Sequence, residues 1–173
     1  MKKVALFMDG WKRYFTYAWP LGFMQKIKEA RADVNLYIFN SNGNWNRDDG
    51  YSYGEYNIYS LPELTDFDGI IISVNNIKYP EVTAELLDRI RKSGVPAISL
   101  ETAFDGLHFV GIDNYDAMYD MTRHMIEKHG AKKVWYLAGP KDNYEAQERC
   151  RAFRDCMDEY CLLYTSDAAD EAR

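Results

Sequence analysis

Residues 109–153 read FVGIDNYDAMYDMTRHMIEKHGAKKVWYLAGPKDNYEAQERCRAF, and this stretch decides the fold. Phe109–Ile112 is a short apolar run that turns at Asp113-Asn114. Apolar or aromatic side chains then recur at Tyr115, Met118, Tyr119, Thr122, Met125 and Ile126, the period of a helix burying one face. Asp113 or Asn114 can cap its start, and Gly130 can close it in a left-handed conformation. A second apolar run, Val134–Leu137, ends at Ala138-Gly139-Pro140, and a polar loop leads into another helix with a stripe at Ala146, Cys150, Phe153, Met157 and Tyr160. The order is strand, helix, strand, loop, helix, which points to an α/β protein.

These residues resemble the effector-binding core of lac-repressor-type regulators and type 1 periplasmic sugar-binding proteins. That pattern runs strand, Asp-Asn, helix ending at Gly, strand, Gly-Pro, Asn, and Arg-x-x-Gly-Phe. The last element here is Arg149-Cys150-Arg151-Ala152-Phe153, with Ala152 where the family usually carries Gly. The resemblance implies an α/β parallel-sheet sandwich with two lobes around a ligand cleft. Residues 1–112 would form a nearly complete N-terminal lobe, and 113–160 the start of a truncated C-terminal lobe.

Working outward, Lys3–Met8 is a continuous apolar run that reads as a buried parallel strand ending in a turn at Asp9-Gly10. A ring-rich stretch from Trp11 to Trp19 follows it, and ligands of open α/β sheets sit outside the carboxyl ends of the strands. A helix over Pro20–Ala30, with Pro20 in its first turn, should bury Leu21, Phe23, Met24 and Ile27. Val34–Phe39 is the second strand, and a polar loop from Asn40 to Tyr53 leads to a short helix within Gly54–Leu64. Asp68–Ser73 is the clearest strand, similar to the family's "DGIII" strand. A helix over Pro80–Lys92 buries Val82, Leu86, Leu87 and Ile90 and stops at Gly94, before a fourth strand at Val95–Leu100.

Residues 161–173 break the pattern. They continue no helical stripe and resemble the translated product of a transposon-end sequencing adapter, so they are set apart as a non-native tail.

Composition narrows the class. A hydrophobic content of 47% with 28% charge is that of a globular domain, and a net charge of -6 disfavours a phosphate-binding surface, so no direct nucleic-acid contact is expected. The apolar run after Met1 is too short for a signal peptide, and no stretch is long enough to span a membrane. A cytoplasmic location with reduced Cys150, Cys156 and Cys161 is the expectation. His108, His124 and His129 fall at no spacing that builds a metal site. The chain lacks GxGxxG after a strand, GxxxxGK[ST], GxSxG and HExxH, so no catalytic residue, cofactor or metal is assigned and the fragment is not read as an enzyme. Asp9 lacks the second Asp two residues on that a phosphatase-type aspartate would need.

Candidate ligand residues follow from strand ends and from the resemblance. Trp11, Tyr14 and Phe15 offer aromatic faces for a sugar ring, against the alternative that they pack the first helix on the sheet. Asn75 and Asn76 follow the third strand and Glu101 the fourth, where the family often places an acidic ligand contact. Arg149 matches the family's ligand-contacting arginine; the alternative is a surface pair with Glu145, four residues earlier. Asp113 and Asn114 read as hinge structure and helix cap. The resemblance implies a small-molecule, sugar-like ligand, closure upon it, and a homodimer for the full-length protein. With the first strand at the start of the sequence, the expectation is a core without a DNA-binding head before it. Sequences of this kind with a start like FMDGWKRYFTYAWP resemble those preceding a diguanylate cyclase domain. The expectation is a cytoplasmic sensor of a signalling protein. The alternatives are the effector domain of a lac-repressor-type regulator and an α/β nucleotide-binding enzyme.

Overall fold

The computed structural model describes residues 1–10, 14–42, 49–75, 77–141 and 143–168, with the backbone alone at 14–16 and 163–168. The candidate residues Trp11 and Asn76 lie outside the described residues, as do the side chains of Tyr14 and Phe15. The chain divides into two compact units, Met1–Gly111 and Ile112–Arg173.

The first unit is a five-stranded sheet in the order β2-β1-β3-β4-β5, with β1 at Lys2–Asp9, β2 at Val34–Ser41, β3 at Gly69–Ser73, β4 at Ala97–Leu100 and β5 at His108–Val110. Every pair is parallel, with Leu6 opposite both Ile38 and Ile71. Parallel strands need crossovers, and helices on both faces explain why β1 and β3 are apolar without alternation. Ala5, Phe7, Ile70 and Ile72 point to one face, where they meet Val82, Leu86, Leu87 and Ile90 of α3 (Pro80–Ser93) and the buried rings Tyr56 and Tyr59. Leu6, Met8 and Ile71 point to the other, against Trp19 and Phe23 of α1 (Tyr14–Glu29). Phe7 is fully buried, stacks on Phe39 at 5.1 Å and meets Tyr59 edge-on at 5.9 Å. Burial of such a ring stabilises the fold by about 1.5–3 kcal/mol.

Two local expectations need correction. The first helix begins at Tyr14, and Pro20 lies inside it. Proline removes one helical hydrogen bond, but the helix gains Trp19 and Phe23, one turn apart, on the sheet. Leu21 and Met24, expected in the core, are exposed at 68% and 44% because they fall off the Trp19–Phe23 stripe. The polar segment before Tyr53 contributes α2 (Asp49–Glu55), which runs into a 3-10 turn at Tyr56–Ser60. A second 3-10 turn follows at Leu64–Asp66. The tyrosines of the first turn, not its polar residues, anchor it.

The second unit comprises α4 (Asn114–His129), β6 (Lys133–Ala138), α5 (Tyr144–Glu159) and β7 (Leu163–Ala168). Asp113 caps α4 by accepting from the Asp116 amide at 2.9 Å. Asn143 caps α5 through the Ala146 amide at 2.8 Å. Val134 and Tyr136 of β6 pack on Phe153 and Met157 of α5, with Tyr136 and Phe153 stacked at 4.8 Å. Between α4 and α5, Tyr115 donates to Asp155 at 2.8 Å, Tyr119 donates to Glu159 and Tyr160 donates to Glu127. The carboxylate partners push the Tyr119 and Tyr160 phenols up to about 12.

The segment set apart as a tail also takes a place in this unit. Leu163–Ala168 pairs in parallel with Lys133–Ala138, and Leu162 packs against the Phe153 cluster. A ladder is made of backbone groups, so an extended segment leaving α5 can pair with β6 whatever its side chains.

Candidate functional site

The carboxyl edge of the five-stranded sheet collects polar side chains from strands that are otherwise apolar. Asn75, two residues past β3, donates from Nδ2 to Glu101 Oε2 at 2.7 Å, and Ser73 Oγ lies 3.5 Å from the same oxygen. Thr102 Oγ1 donates to Asn75 Oδ1 at 2.9 Å, which turns the amide so that its NH2 faces the carboxylate. Two of the three strand-end residues selected from sequence, Asn75 and Glu101, are thus brought together. Ser73 and Thr102 were not selected, because a hydroxyl at a strand end carries no signal until its neighbour strand is known.

Glu101 has an unusual backbone. Its φ is 66°, while the Thr102 amide donates to Leu100 O at 2.8 Å across it. A two-residue bond around a left-handed centre is a γ-turn of the rare, strained kind. The Glu101 amide donates to Val110 O at 3.0 Å, and Ser99 Oγ donates to Thr102 O at 2.5 Å, so β5 and β4 hold the turn from both sides. Arg31 and Cys161 also have positive φ, but each follows a helix end, where that conformation is ordinary. A held, strained turn that aims a carboxylate past a strand end is a feature of functional sites.

A second polar group lies at the ends of β1 and β2. Asp9 is 4% exposed, and Ser41 Oγ donates to its Oδ1 at 2.6 Å. Tyr59 OH stands 2.9 Å from both Ser41 Oγ and Met8 O. Burial pushes the Tyr59 phenol far above its ordinary value, with the Ser41 contact opposing the shift. Asp9 was set aside in the sequence for want of a catalytic companion, and the Ser41 hydroxyl is one of its partners here. On the α3 side of the sheet, a hollow of about 40 Å³ is lined by Tyr53, Tyr56 and Arg89, room for a water or two. Arg89 is committed to Tyr59 O at 2.5 Å and Pro62 O at 2.9 Å.

In the second unit, Arg149 Nη1 donates to Asn114 Oδ1 at 2.5 Å and lies 3.9 Å from Glu145 Oε2. The pairing with Glu145, weighed from the sequence as the alternative to a ligand contact, is therefore the looser of two contacts. Asn114, selected as hinge structure, orients this guanidinium. Asp113, selected with it, caps α4. Gly139 permits the approach of β6 to α5, since a Cβ there would stand 2.8 Å from the Ala146 Cβ.

The fold is that of type 1 periplasmic-binding-protein-like domains, as found in sugar-binding transport proteins and LacI-type regulators. It is similar to a periplasmic ribose ABC transporter protein of Conexibacter woesei, with TM-score 0.73 and 20% identity over 96% of this chain and 53% of that one. A periplasmic solute-binding protein of Actinobacillus succinogenes with bound D-allose matches with TM-score 0.69 and 17% identity, over 97% and 58% of the two chains. The transcription regulator CcpA of Lactococcus lactis gives TM-score 0.67 and 17% identity, over 96% and 58%. The chain thus spans a little over half the length of these structures. No family model matches it, and no curated protein does.

Proposed function

We propose that this chain binds a neutral, polyhydroxylated, sugar-like small molecule and serves as the sensor portion of a cytoplasmic signalling protein. The observation that carries this reading is the Ser73–Asn75–Glu101–Thr102 cluster, held at the carboxyl edge of a parallel sheet by a strained turn. A carboxylate accepts from hydroxyls, and the amide and hydroxyls around it can both donate and accept, which is the chemistry a sugar needs. The rings of Trp11, Tyr14 and Phe15 are proposed to stack on the sugar's apolar face, and Arg149 is proposed, on its own chemistry, as a guanidinium that can donate to hydroxyls. The neighbours that bind sugars on this fold support the ligand class. Their share of length supports a longer protein, for which we propose a homodimer and an attached output domain of the diguanylate cyclase class. The ligand would act by differential affinity, favouring the state of the sensor that holds it better.

A thermal-shift series with D-ribose, D-allose and D-xylose against ATP and GTP tests the reading. At least one sugar raises the melting temperature of the chain, and Glu101→Gln removes that rise. Stabilisation by a nucleotide alone would overturn it in favour of a nucleotide-binding enzyme.

A further inference from the structure

The sequence spacing of His124 and His129 gave no metal site, since residues five apart on a regular helix point about 140° from one another. The structure places them together. His129 is the last residue of α4, and Gly130 follows it with φ 64°, so the chain leaves the helix just where His129 sits. The two rings meet edge-to-face with centroids 5.1 Å apart, and their Nε2 atoms are 3.2 Å apart. Both residues are exposed.

We propose that His124 and His129 form a two-imidazole site for a divalent late first-row transition ion, of the Ni²⁺, Cu²⁺ or Zn²⁺ class. Three observations converge on it. The first is distance: two nitrogens bound at about 2.05 Å around a tetrahedral ion stand about 3.3 Å apart. That is close to the 3.2 Å at which these two share a hydrogen bond, so an ion takes the place of the proton between them, that proton passing to Nδ1 of its ring as the rings turn to aim both lone pairs at the ion. The second is chemistry. Imidazole is the donor these ions prefer, and the Nε2 atoms that face each other are the outer ring nitrogens, free of backbone crowding. The third is placement: α4 ends at His129, and the negative end of its dipole favours a cation there. Asp120 lies one turn before His124 on the same face, but its carboxylate is engaged by Arg123 at 2.8 Å. Among the described residues no group of three or more His, Cys, Asp or Glu side chains is placed around one ion, so water completes the coordination. The bound ion would tie the last turn of α4 to the turn before it.

Calorimetric titration of the whole chain with Ni²⁺ tests this, in a Cys161→Ser background so that the exposed thiol does not compete. One equivalent binds, and either His124→Ala or His129→Ala weakens binding at least tenfold, while His108→Ala, in the other unit, leaves it unchanged. Frozen-solution electron paramagnetic resonance with Cu²⁺ shows coupling to two imidazole nitrogens, and to one in each single variant. The proposal is overturned by the absence of saturable binding. Binding that survives either α4 substitution, or that His108→Ala weakens equally, also overturns it.

Discussion

The two units solve the same problem to different extents. In the first, each face of the parallel sheet is covered, so residues along β1 and β3 are buried whichever way they point: Phe7 at 0% exposure and Leu6 at 2% sit on opposite faces. In the second, helix α5 covers one face of β6, and alternate residues meet opposite fates. Val134 is 8% exposed, whereas Trp135 and Leu137 are 77% and 78% exposed. An apolar run in a parallel strand needs two covered faces, and only the first unit supplies both among the described residues.

Substitutions can break or sharpen that contrast. The largest effect is expected from Phe7→Ala, which leaves a cavity between β1, Phe39 and Tyr59 and should cost about 3–5 kcal/mol in urea denaturation. Next comes pH. Burial pushes the Tyr56 phenol up to about 12. Between the ordinary value near 10 and that value, the unfolded chain loses its proton first. Stability of the first unit therefore falls as pH rises through this window, and is unaffected by this group below it. A Tyr56→Phe variant should show a smaller fall in its urea-denaturation midpoint across this window than the parent.

Smaller effects come from the second unit and the turn. Asp113→Ala removes the α4 cap and should cost about 1 kcal/mol, read as a lower melting temperature. Glu101→Gly relieves the left-handed backbone while losing the Asn75 contact. These oppose each other, so its stability should stay within about 1 kcal/mol of the parent while sugar binding is lost. Trp135→Ser is the smallest, within about 0.5 kcal/mol despite replacing the largest side chain in β6, because that ring is already in solvent. A cost for Trp135→Ser close to that of Phe7→Ala would erase the contrast.

Legibility followed periodicity. The four buried positions of α3, the apolar core of β3 and the cap-to-glycine span of α4 were all readable, because helix and strand periods are local and the caps use specific chemistry. The facing of Asn75 and Glu101 was half readable: strand ends mark where a site belongs, but only strand order makes residues 26 apart in sequence neighbours. The γ-turn at Glu101 was not readable, since nothing in Leu100-Glu101-Thr102 favours positive φ. The Arg149–Asn114 contact was hidden because it joins two helices, and the meeting of His124 with His129 because it depends on how a helix ends. Leu21 and Met24 misled because hydrophobicity was read without the register that Trp19 and Phe23 impose.

The most direct test of the proposed site is nitrogen-15 NMR of the whole chain titrated with D-ribose and D-allose. The account predicts that at least one of them shifts the Asn75 side-chain amide and the Thr102 backbone amide in a saturable way, with Glu101→Gln abolishing both shifts. Saturable sugar binding that leaves these two amides unmoved, or no binding of either sugar, would contradict it.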